Sequence, residues 1–242
     1  MNIGLIGYGR MGKVIEKIAV QRGHKVTSIV DQGMGEISSE VDCYIDFSVA
    51  AAMKTNMTEL CKQKVPVVIG TTGWLDDKDF YEKLFQDSGN IGIWGGNFSL
   101  GVNLFWKAVQ DATKTFNKFQ KEYDVMVHEY HHKNKIDSPS GTAIQTADFV
   151  LQNSTQKDKI VTECLNRKRE DNELHVSSTR GGSIPGIHTV TFDSDFDTVE
   201  ITHNARTREG FALGSVIAAE KIQKLKSGLY NFSENFDTIT EE

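Results

Sequence analysis

The feature that most limits what this chain can fold into is a glycine-rich turn, Gly7-Tyr8-Gly9-Arg10-Met11-Gly12. It has the spacing GxGxxG and stands between a predicted strand at Ile3–Gly7 and a helical pattern that ends at Gly23. The first glycine allows a tight turn, the second lets the backbone approach a pyrophosphate, and the third lets helix and strand pack closely. Unpaired N–H groups and the dipole at the helix start favour the bound anion. The turn predicts a dinucleotide-binding unit.

An acidic residue stands where such a unit needs one. Asp31 ends the second predicted strand, Lys25–Val30, and lies 19 residues after Gly12. A carboxylate about 20 residues beyond the glycine turn accepts a hydrogen bond from the ribose 2′-OH. The alternative interpretation is an ordinary strand-to-helix turn with a solvated acid at the strand end.

The first region of the chain alternates strand and helix patterns. Further strands are predicted at Val41–Phe47, Val65–Ile69 and Ile91–Trp94, with a helix at Ala50–Gln63. Continuous apolar runs separated by helices are typical of a parallel sheet that is covered on both faces. The fold class is therefore α/β, with a Rossmann-type parallel sheet.

The pattern changes after about Asn97 and becomes richer in strands. Helices are predicted at 103–119, 142–151 and 211–225. Strands are predicted at 122–131, 173–179 and 189–203, the last as a hairpin that turns near Ser194–Asp197. The basic stretch Lys157–Arg169 is interpreted as a solvated face. For the polar tail after Lys226, an ordered and a frayed state both remain open.

Composition excludes several classes of function. With 27 Lys and Arg against 33 Asp and Glu, the net charge is −6, which argues against nucleic acid or a membrane surface as partner. Three cysteines without CxxC spacing indicate neither a disulfide framework nor a thiolate zinc site. No signal peptide and no membrane-spanning run are predicted, and a cytoplasmic location is expected.

Three further segments carry a family resemblance: Val68–Trp74 (VIGTTGW), Gly96–Asn103 (GNFSLGVN) and Glu129–Ala143 (EYHHKNKIDSPSGTA). Together with the glycine turn, the chain resembles the 4-hydroxy-tetrahydrodipicolinate reductase family, also called dihydrodipicolinate reductase. The resemblance covers nearly the whole chain in the right order. It implies reduction of a small dicarboxylate by a nicotinamide dinucleotide in the diaminopimelate route to lysine.

The resemblance also implies a division of the chain. Residues 1–101 and 209–242 would form the dinucleotide-binding domain. Residues 102–208 would form a second α+β domain with a mixed open sheet, which binds substrate and forms a homotetramer.

The resemblance implies roles for individual residues. His131 and Lys135 match the catalytic positions, and His132, Gly141 and Thr142 match substrate-binding positions. The cofactor-binding positions are Gly7, Tyr8, Gly9, Arg10, Met11, Gly12, Asp31, Gly70, Thr71, Thr72, Gly95, Gly96, Asn97 and Phe98. The chain departs from the family in the shorter turn GYGRMG and in Gln32, where many members have a basic residue. NADH is thus slightly favoured over NADPH, since Asp31 would repel a 2′-phosphate and no arginine follows it.

The implied chemistry suits these residue types. Hydride addition to a carbon conjugated to an imine leaves an enamine, which must receive a proton. A histidine titrates near neutrality, and the Lys135 ammonium can both donate a proton and bind a carboxylate. Free N–H groups where a helix begins, at Ser140-Gly141-Thr142, suit a substrate carboxylate.

Other interpretations remain. His128, His131 and His132 with Glu129 could form a metal cluster, but the helical HExxH motif is absent and neighbouring strand residues point to opposite faces; no metal is predicted. His188 is either a loop histidine or a residue that supports the site. Rival functions are a non-catalytic sensor of the NADH/NAD ratio and a dehydrogenase for an amino or hydroxy acid. Neither explains the segment from His131 to Ala143.

Overall fold

The computed structural model describes residues 1–241, and the chain forms two compact units. Unit 1 consists of Met1–Leu100 together with the chain from Arg208 onward, and unit 2 of Gly101–Thr207. Within residues 1–241 no helix is both long and apolar enough to cross a membrane.

Unit 1 contains a six-stranded sheet in which every neighbouring pair is parallel. Its strands are β1 (Asn2–Ile6), β2 (Lys25–Val30), β3 (Cys43–Asp46), β4 (Val67–Ile69), β5 (Ile91–Trp94) and β11 (Gly228–Asn231), in the order β11-β5-β4-β3-β1-β2. Its helices are α1 (Arg10–Gln21), α2 (Ala50–Gln63), α3 (Lys78–Ser88), α6 (Glu209–Lys221) and α7 (Phe236–Thr240).

The strands of unit 1 are continuous apolar runs because both faces of the sheet are covered. One buried cluster includes Leu5, Ile45 and Val68 together with α1 and residues of α6. A second buried cluster includes Ile6, Tyr44 and Val67 together with residues of α2 and α3. Successive strand residues point to opposite faces, and because both faces are covered, apolar side chains are buried on each of them.

Unit 2 is a five-stranded mixed sheet with two helices. The strands are β6 (Asp124–His131), β7 (Lys159–Val161), β8 (Glu173–Arg180), β9 (Ile187–Asp193) and β10 (Thr198–Asn204), in the order β10-β9-β6-β8-β7. The helices are α4 (Leu100–Phe116) and α5 (Gly141–Asn153). Strand β6 is parallel to β8 and antiparallel to β9.

The core of unit 2 lies on one face of this sheet. Along β6, buried residues alternate with more exposed ones, and Val125, Val127, Glu129 and His131 share the buried face. Val125 and Val127 pack in one cluster with residues of α4 and α5. Because the apolar and polar faces alternate with period two, β6 carries Glu129 and His131 to the covered side, while Met126 and Tyr130 are exposed.

The predicted fold class is confirmed, because a parallel Rossmann-like sheet and a second, mixed sheet are both present. Strands β2 and β5 and helix α2 have the predicted bounds, and the hairpin turns at Ser194–Asp197 as expected. Helix α3 and strands β7 and β11 were not predicted. The chain after Lys226 is ordered in β11 and α7, since β11 pairs with β5 at the sheet edge.

The interpretation of Lys157–Arg169 as a solvated face is wrong for Lys157. Its side chain is 1% exposed, and its Nζ lies 2.6 Å from Asp124 Oδ1 and donates to the Asp171 carbonyl at 2.7 Å. Arg169 also pairs with Asp124. The stretch therefore ties a loop to the start of β6, because a buried ammonium needs such partners.

Candidate active site

The glycine turn of unit 1 joins β1 to α1, and its backbone packs closely against other segments of the unit. Gly7 has φ +86°, and a Cβ there would lie 2.5 Å from the Phe47 carbonyl oxygen. A Cβ on Gly12 would overlap the Gly7 carbonyl oxygen. At Gly9, by contrast, no described residue beyond its own neighbours in the chain lies within 4 Å of where a Cβ would be. The turn thus leaves open backbone at Gly9 for a ligand to approach.

The start of α1 suits an anion. Its N-cap residue is Gly9, and no side chain of the described residues caps it. The first N–H groups of a helix lack partners within the helix and carry the positive end of its dipole. Arg10 is exposed and Met11 half-buried at this end, and the Tyr8 hydroxyl donates to Glu16.

Asp31 lies just beyond β2, beside the glycine turn. Its Oδ2 accepts from the Tyr8 N–H at 3.1 Å and its Oδ1 from the Gln32 N–H at 2.8 Å. These bonds hold the exposed carboxylate next to the turn, and carboxylate oxygens have further lone pairs for a ribose hydroxyl.

Asp46, which sequence reasoning missed, links the loops that follow β3 and β4. It is fully buried, and its Oδ1 accepts from the Thr71 hydroxyl at 2.8 Å and from the Ser48 N–H at 2.9 Å. The Thr71 hydroxyl also accepts from the Ser48 N–H at 2.9 Å. The Thr71 side chain is therefore engaged within the protein.

The other predicted cofactor residues lie at this same carboxyl edge of the sheet or just after it. Gly70 packs against the Phe47 ring, while Thr72 and Gly96 are exposed. The Phe98 side chain is 1% exposed and belongs to the core. Asn97 is buried and accepts from the Ser99 N–H at 2.9 Å, and Gly95 lies against Phe232.

Unit 1 fits a dinucleotide. The buried Ser48 Oγ has no hydrogen-bond partner within residues 1–241. It lies in the loop after β3, whose backbone touches Gly7. An open glycine backbone, an uncapped helix start, a ribose-type carboxylate and an orphaned hydroxyl along one sheet edge are the features such a ligand needs.

In unit 2, the buried face of β6 brings Glu129 beside His131. Glu129 Oε2 lies 3.1 Å from His131 Nδ1, and the two side chains are 0% and 8% exposed. The pair has the distance of an ion contact but not the alignment of a hydrogen bond, since Nδ1 has no hydrogen-bond partner among the described residues. At this burial the charge of the carboxylate is felt strongly.

The Glu129 carboxylate is fixed by several donors. Oε1 accepts from the Ser140 N–H at 2.8 Å, from the Ser178 hydroxyl at 2.9 Å and from Arg180 Nη2 at 2.8 Å. Oε2 accepts from the Ser140 hydroxyl. Burial raises the pKa of Glu129, but hydrogen bonds from His188, Ser140 and Arg180 outweigh it and hold that pKa far below its usual range. At neutral pH Glu129 is therefore a buried anion.

His188 completes the cluster from β9. Its Nε2 lies 3.2 Å from the Ser140 hydroxyl and 3.4 Å from Glu129 Oε2, and its ring meets that of His131 edge to face at 5.1 Å. Because the Ser140 hydroxyl donates to Glu129, it accepts from His188, whose proton is thus on Nε2. Of the two interpretations of His188, the supporting residue is the one the structure favours.

His131 is held neutral in the free protein. Burial lowers its pKa to about 4; Glu129 opposes this shift, whereas His188, Lys135 and Arg180 add to it. The Glu129 charge at 3.1 Å favours a proton on Nδ1, which would leave Nε2 with a lone pair.

Lys135 lies in the loop between β6 and α5 and pairs with Asp137. Its Nζ is 2.9 Å from Asp137 Oδ1, and the Lys135 side chain is 24% exposed. Hydrogen bonding to Lys135 lowers the pKa of Asp137, and the N–H groups of Asp137 and Gly141 contribute. The start of α5 therefore already faces a carboxylate of the chain itself.

The remaining predicted substrate residues lie around this loop and helix start. His132 is half-buried and its N–H donates to the Ile184 carbonyl at 2.8 Å. Ser140 caps α5 by accepting from the Ala143 N–H at 3.2 Å. Gly141 is exposed with open space at its missing Cβ, and Thr142 follows it in the first turn.

The cluster has the residue types of a metal site, because ligand atoms of Glu129, His131 and His188 lie within 4.8 Å of one another. The Glu129 oxygens, however, already accept from Ser140, Ser178 and Arg180. A cation would have to displace these donors beside the Arg180 charge, so we interpret the cluster as a hydrogen-bonded acid–base site.

Sequence reasoning missed Ser178 and Arg180 and considered Glu129 only as a metal ligand. A signal for Glu129 was present, since it precedes His131 by two residues and must share its strand face. For Ser178 and Arg180 no local signal existed, because β8 reaches β6 from about 50 residues away.

Comparison with known proteins agrees with both units. Residues 1–98 match the family profile described as dihydrodipicolinate reductase, N-terminus, and residues 101–236 match its C-terminus. The 4-hydroxy-tetrahydrodipicolinate reductase of Christiangramia forsetii is 41% identical over 237 residues, which is 97% of either chain. That of Archaeoglobus fulgidus is 35% identical and covers 93% of this chain and 95% of its own.

Solved structures share the fold. The dipicolinate-bound dihydrodipicolinate reductase of Paenisporosarcina sp. TG-14 has a TM-score of 0.78 at 19% identity, covering 97% of this chain and 98% of its own. An engineered D-amino acid dehydrogenase bound to NADP⁺ has a TM-score of 0.55 at 13% identity, covering 100% and 96%.

A dinucleotide-type sheet and a buried histidine–carboxylate cluster define the class of dinucleotide-dependent oxidoreductases. Within that class, the chain belongs to the dihydrodipicolinate reductase family, which confirms the resemblance inferred from its motifs.

Proposed function

We propose that this chain reduces 4-hydroxy-tetrahydrodipicolinate to tetrahydrodipicolinate, with loss of water, in the diaminopimelate route to lysine. A nicotinamide dinucleotide supplies the hydride when bound. The relatives that match almost the whole chain at 33–41% identity carry the name of this reaction. The single observation that carries the proposal is the cluster of His131, Glu129 and Lys135 around the start of α5.

The proton of the reaction is assigned to His131 and Lys135. In the free protein His131 is neutral, since burial lowers its pKa to about 4. A dicarboxylate brings negative charge to its neighbourhood, and a nearby anion raises the pKa of an imidazole. Substrate binding thus favours the protonated form of His131, while Lys135 provides a cation with three N–H donors.

The substrate carboxylates are assigned to His132, Lys135 and the first residues of α5, Gly141 and Thr142. A carboxylate that approaches Lys135 takes the place of the Asp137 carboxylate, which holds Nζ at 2.9 Å in the free protein. The open space at Gly141 lets such a group reach the helix backbone.

The cofactor is assigned to unit 1 and the substrate to unit 2. Gly7–Gly12 would hold the pyrophosphate, Asp31 the ribose, and the backbone at Gly70–Thr72 and Gly95–Phe98 the nicotinamide half. A homotetramer in the cytoplasm agrees with the family resemblance.

NADH is expected to bind at least as tightly as NADPH. Asp31 is held beside the glycine turn by the Tyr8 and Gln32 N–H groups, where it accepts from a 2′-OH and repels a 2′-phosphate. Calorimetric titration of both cofactors measures the difference. Clearly tighter NADPH would contradict the assignment and would point to Arg10 as a phosphate ligand.

The assay that tests the function supplies the product of the preceding synthase together with NADH and follows the loss of NADH. Turnover that requires this product supports the proposal. Turnover with amino or hydroxy acids instead would assign a different dehydrogenase, and NADH binding without any turnover would assign a sensor.

A further inference from the structure

Burying the Glu129 carboxylate costs free energy, and the fold does not need a charged residue at this position. Its carboxylate is 0% exposed, and moving an anion out of water is unfavourable unless donors compensate. The chain supplies the donors from two other elements: the Ser140 N–H and hydroxyl at the start of α5, and Ser178 and Arg180 on β8. An apolar residue at this position of β6 would pack without any of them.

We propose that Glu129 is the positioning residue of the site: its anchored carboxylate orients the His131 ring through Nδ1 and leaves Nε2 to exchange the proton. This inference rests on the proposed role of His131 in the reduction. Glu129 itself contacts neither cofactor nor substrate in this assignment and acts through His131.

The two oxygens of the Glu129 carboxylate have different partners, and this fixes the orientation of the group. Ser140 N–H, Ser178 and Arg180 all bind Oε1. Oε2 is the oxygen that faces the two histidines, 3.1 Å from His131 Nδ1 and 3.4 Å from His188 Nε2. Rotation of the carboxylate would break three bonds at once, so Oε2 is held toward the rings.

Burial disfavours a positive charge on His131, and among the charged groups around the ring Glu129 opposes that effect. Facing the ring are His188 from β9, Arg180 from β8 and Lys135 from the following loop, and each of them disfavours a positive ring. Glu129 is the anion that favours one. His188 Nε2 lies 3.2 Å from the Ser140 hydroxyl and 3.4 Å from Glu129 Oε2, farther from that oxygen than His131 Nδ1 at 3.1 Å.

The other ring nitrogen meets backbone rather than an acid. A Cβ on Gly186 would lie 2.9 Å from His131 Nε2, so the missing side chain leaves that nitrogen room. With Nδ1 protonated toward Glu129, Nε2 accepts a proton in the neutral state and donates it in the charged state. A carboxylate orients a catalytic histidine in the same way in serine hydrolases.

The tautomer of His131 in the wild-type full-length protein is the most direct test. Nitrogen-15 NMR of the imidazole, assigned with His131→Gln, distinguishes the two neutral forms at pH 7. The Nδ1–H form is expected, and a predominant Nε2–H form would overturn the proposal. This measurement needs no variant of Glu129 to fold and no turnover.

Glu129→Gln keeps the shape but removes the charge. We expect kcat to fall about tenfold to a hundredfold, part of the 10²–10⁴ typical of a general acid–base group, with NADH affinity unchanged. Without the anion the pKa of His131 falls, so the alkaline limb of the kcat profile, which reports the substrate complex, moves to lower pH by about one unit. Glu129→Asp, which keeps the charge, should recover part of the loss.

Glu173→Gln is the matched control. Glu173 is also a buried carboxylate of unit 2, 2% exposed and paired with Lys159 and Arg167, but it does not contact His131. The Glu173→Gln variant should have a lower melting temperature and an unchanged pH profile of kcat. Equal pH profiles for Glu129→Gln and the wild type would overturn the proposal. Absence of wild-type turnover would instead overturn the proposed function, and the NMR result would still decide the role of Glu129.

Discussion

At the scale of single residues, Gly186 lies against one ring nitrogen of His131, as Glu129 lies against the other. Gly186 has φ +158°, and a Cβ there would approach His131 Nε2 to 2.9 Å and Cδ2 to 3.3 Å. A side chain at this position would press on the nitrogen assigned to proton exchange.

Gly186→Ala should therefore lower kcat at least about tenfold, since a misplaced acid–base group loses much of its effect. NADH affinity should be unchanged, because the cofactor is assigned to unit 1. Steady-state kinetics and calorimetry measure both. Gly182→Ala is the control, since Gly182 has φ +55° with no atom of the described residues near its Cβ position. If both variants lose activity equally, backbone strain rather than the contact with His131 is the cause.

His131→Gln and Lys135→Met should each reduce kcat by about 10²–10⁴-fold, the range for general acid–base groups. Lys135→Met should also raise KM, because it removes a partner for a substrate carboxylate. The two losses should not multiply, since residues that act as a unit are non-additive. His132→Gln should raise KM more than it lowers kcat.

These variants require measured kcat and KM together with NADH binding and melting curves. Near-normal kcat in His131→Gln and Lys135→Met, with unchanged melting, would refute the proton assignment.

At the scale of elements, helix α6 shows how closely the C-terminal segment fits unit 1. A Cβ on Gly214 would overlap the Phe98 carbonyl oxygen, whereas a Cβ on Gly210 would meet Ser99 Oγ at an ordinary 3.5 Å. Both glycines lie in the same helix.

Alanine is the better helix former by about 1 kcal/mol, so Gly210→Ala should be neutral or stabilising. Gly214→Ala should instead destabilise by about 1–3 kcal/mol, because the helix or the Phe98 loop must move. Urea unfolding of the two variants compares them directly. An equal increase in the free energy of unfolding of both variants would show that α6 packs loosely on Phe98.

The elements that sequence predicted best are those whose own residues determine them. Strands β2 and β5 and helix α2 have clear apolar patterns, and their bounds agree with prediction. Helix α3 is mostly polar, with Tyr81 and Phe85 as its buried residues, so its periodicity is weak. Strand β11 has four residues and exists because β5 offers it an edge, which no local pattern reveals.

In the candidate site, too, the residues that belong to one local motif were predicted and those that arrive from distant strands were not. His131 and Lys135 stand in one continuous motif and were found from it. Arg180 and His188 reach the site through strand pairing of β8 and β9 with β6, a tertiary arrangement. The motif therefore identifies the reacting groups, while the residues that fix them follow from the sheet.

At the scale of the whole molecule, stability should fall as the pH drops below about 6.5. The unfolded chain protonates His131 at its ordinary pKa of 6.5, whereas the folded protein does so only at about 4. The unfolded state thus binds more protons in this window, and stability is lost as pH falls through it, by about 3 kcal/mol for His131. His128 and His203 have lowered pKa values through burial and add in the same direction.

Urea unfolding between pH 7 and 5 should show this loss, and His131→Gln should make the slope smaller. Below about pH 4.5 the lowered pKa of Glu129 continues the trend, since that carboxylate is stabilised only while ionised. A stability that is flat from pH 7 to 5 would contradict the burial of a neutral His131.

Unit 1 combines segments that precede and follow unit 2 in the sequence, so it can be completed only after unit 2 has been synthesised. Strand β11 forms the edge of its sheet, and Val216, Phe232 and Phe236 fill the core beside Ile45. A ribosome releases all of unit 2 before these residues emerge. The growing protein therefore carries its glycine turn while α6 and β11, which complete the core and the far edge of the sheet, have still to be made, and unit 1 gains its finished core last.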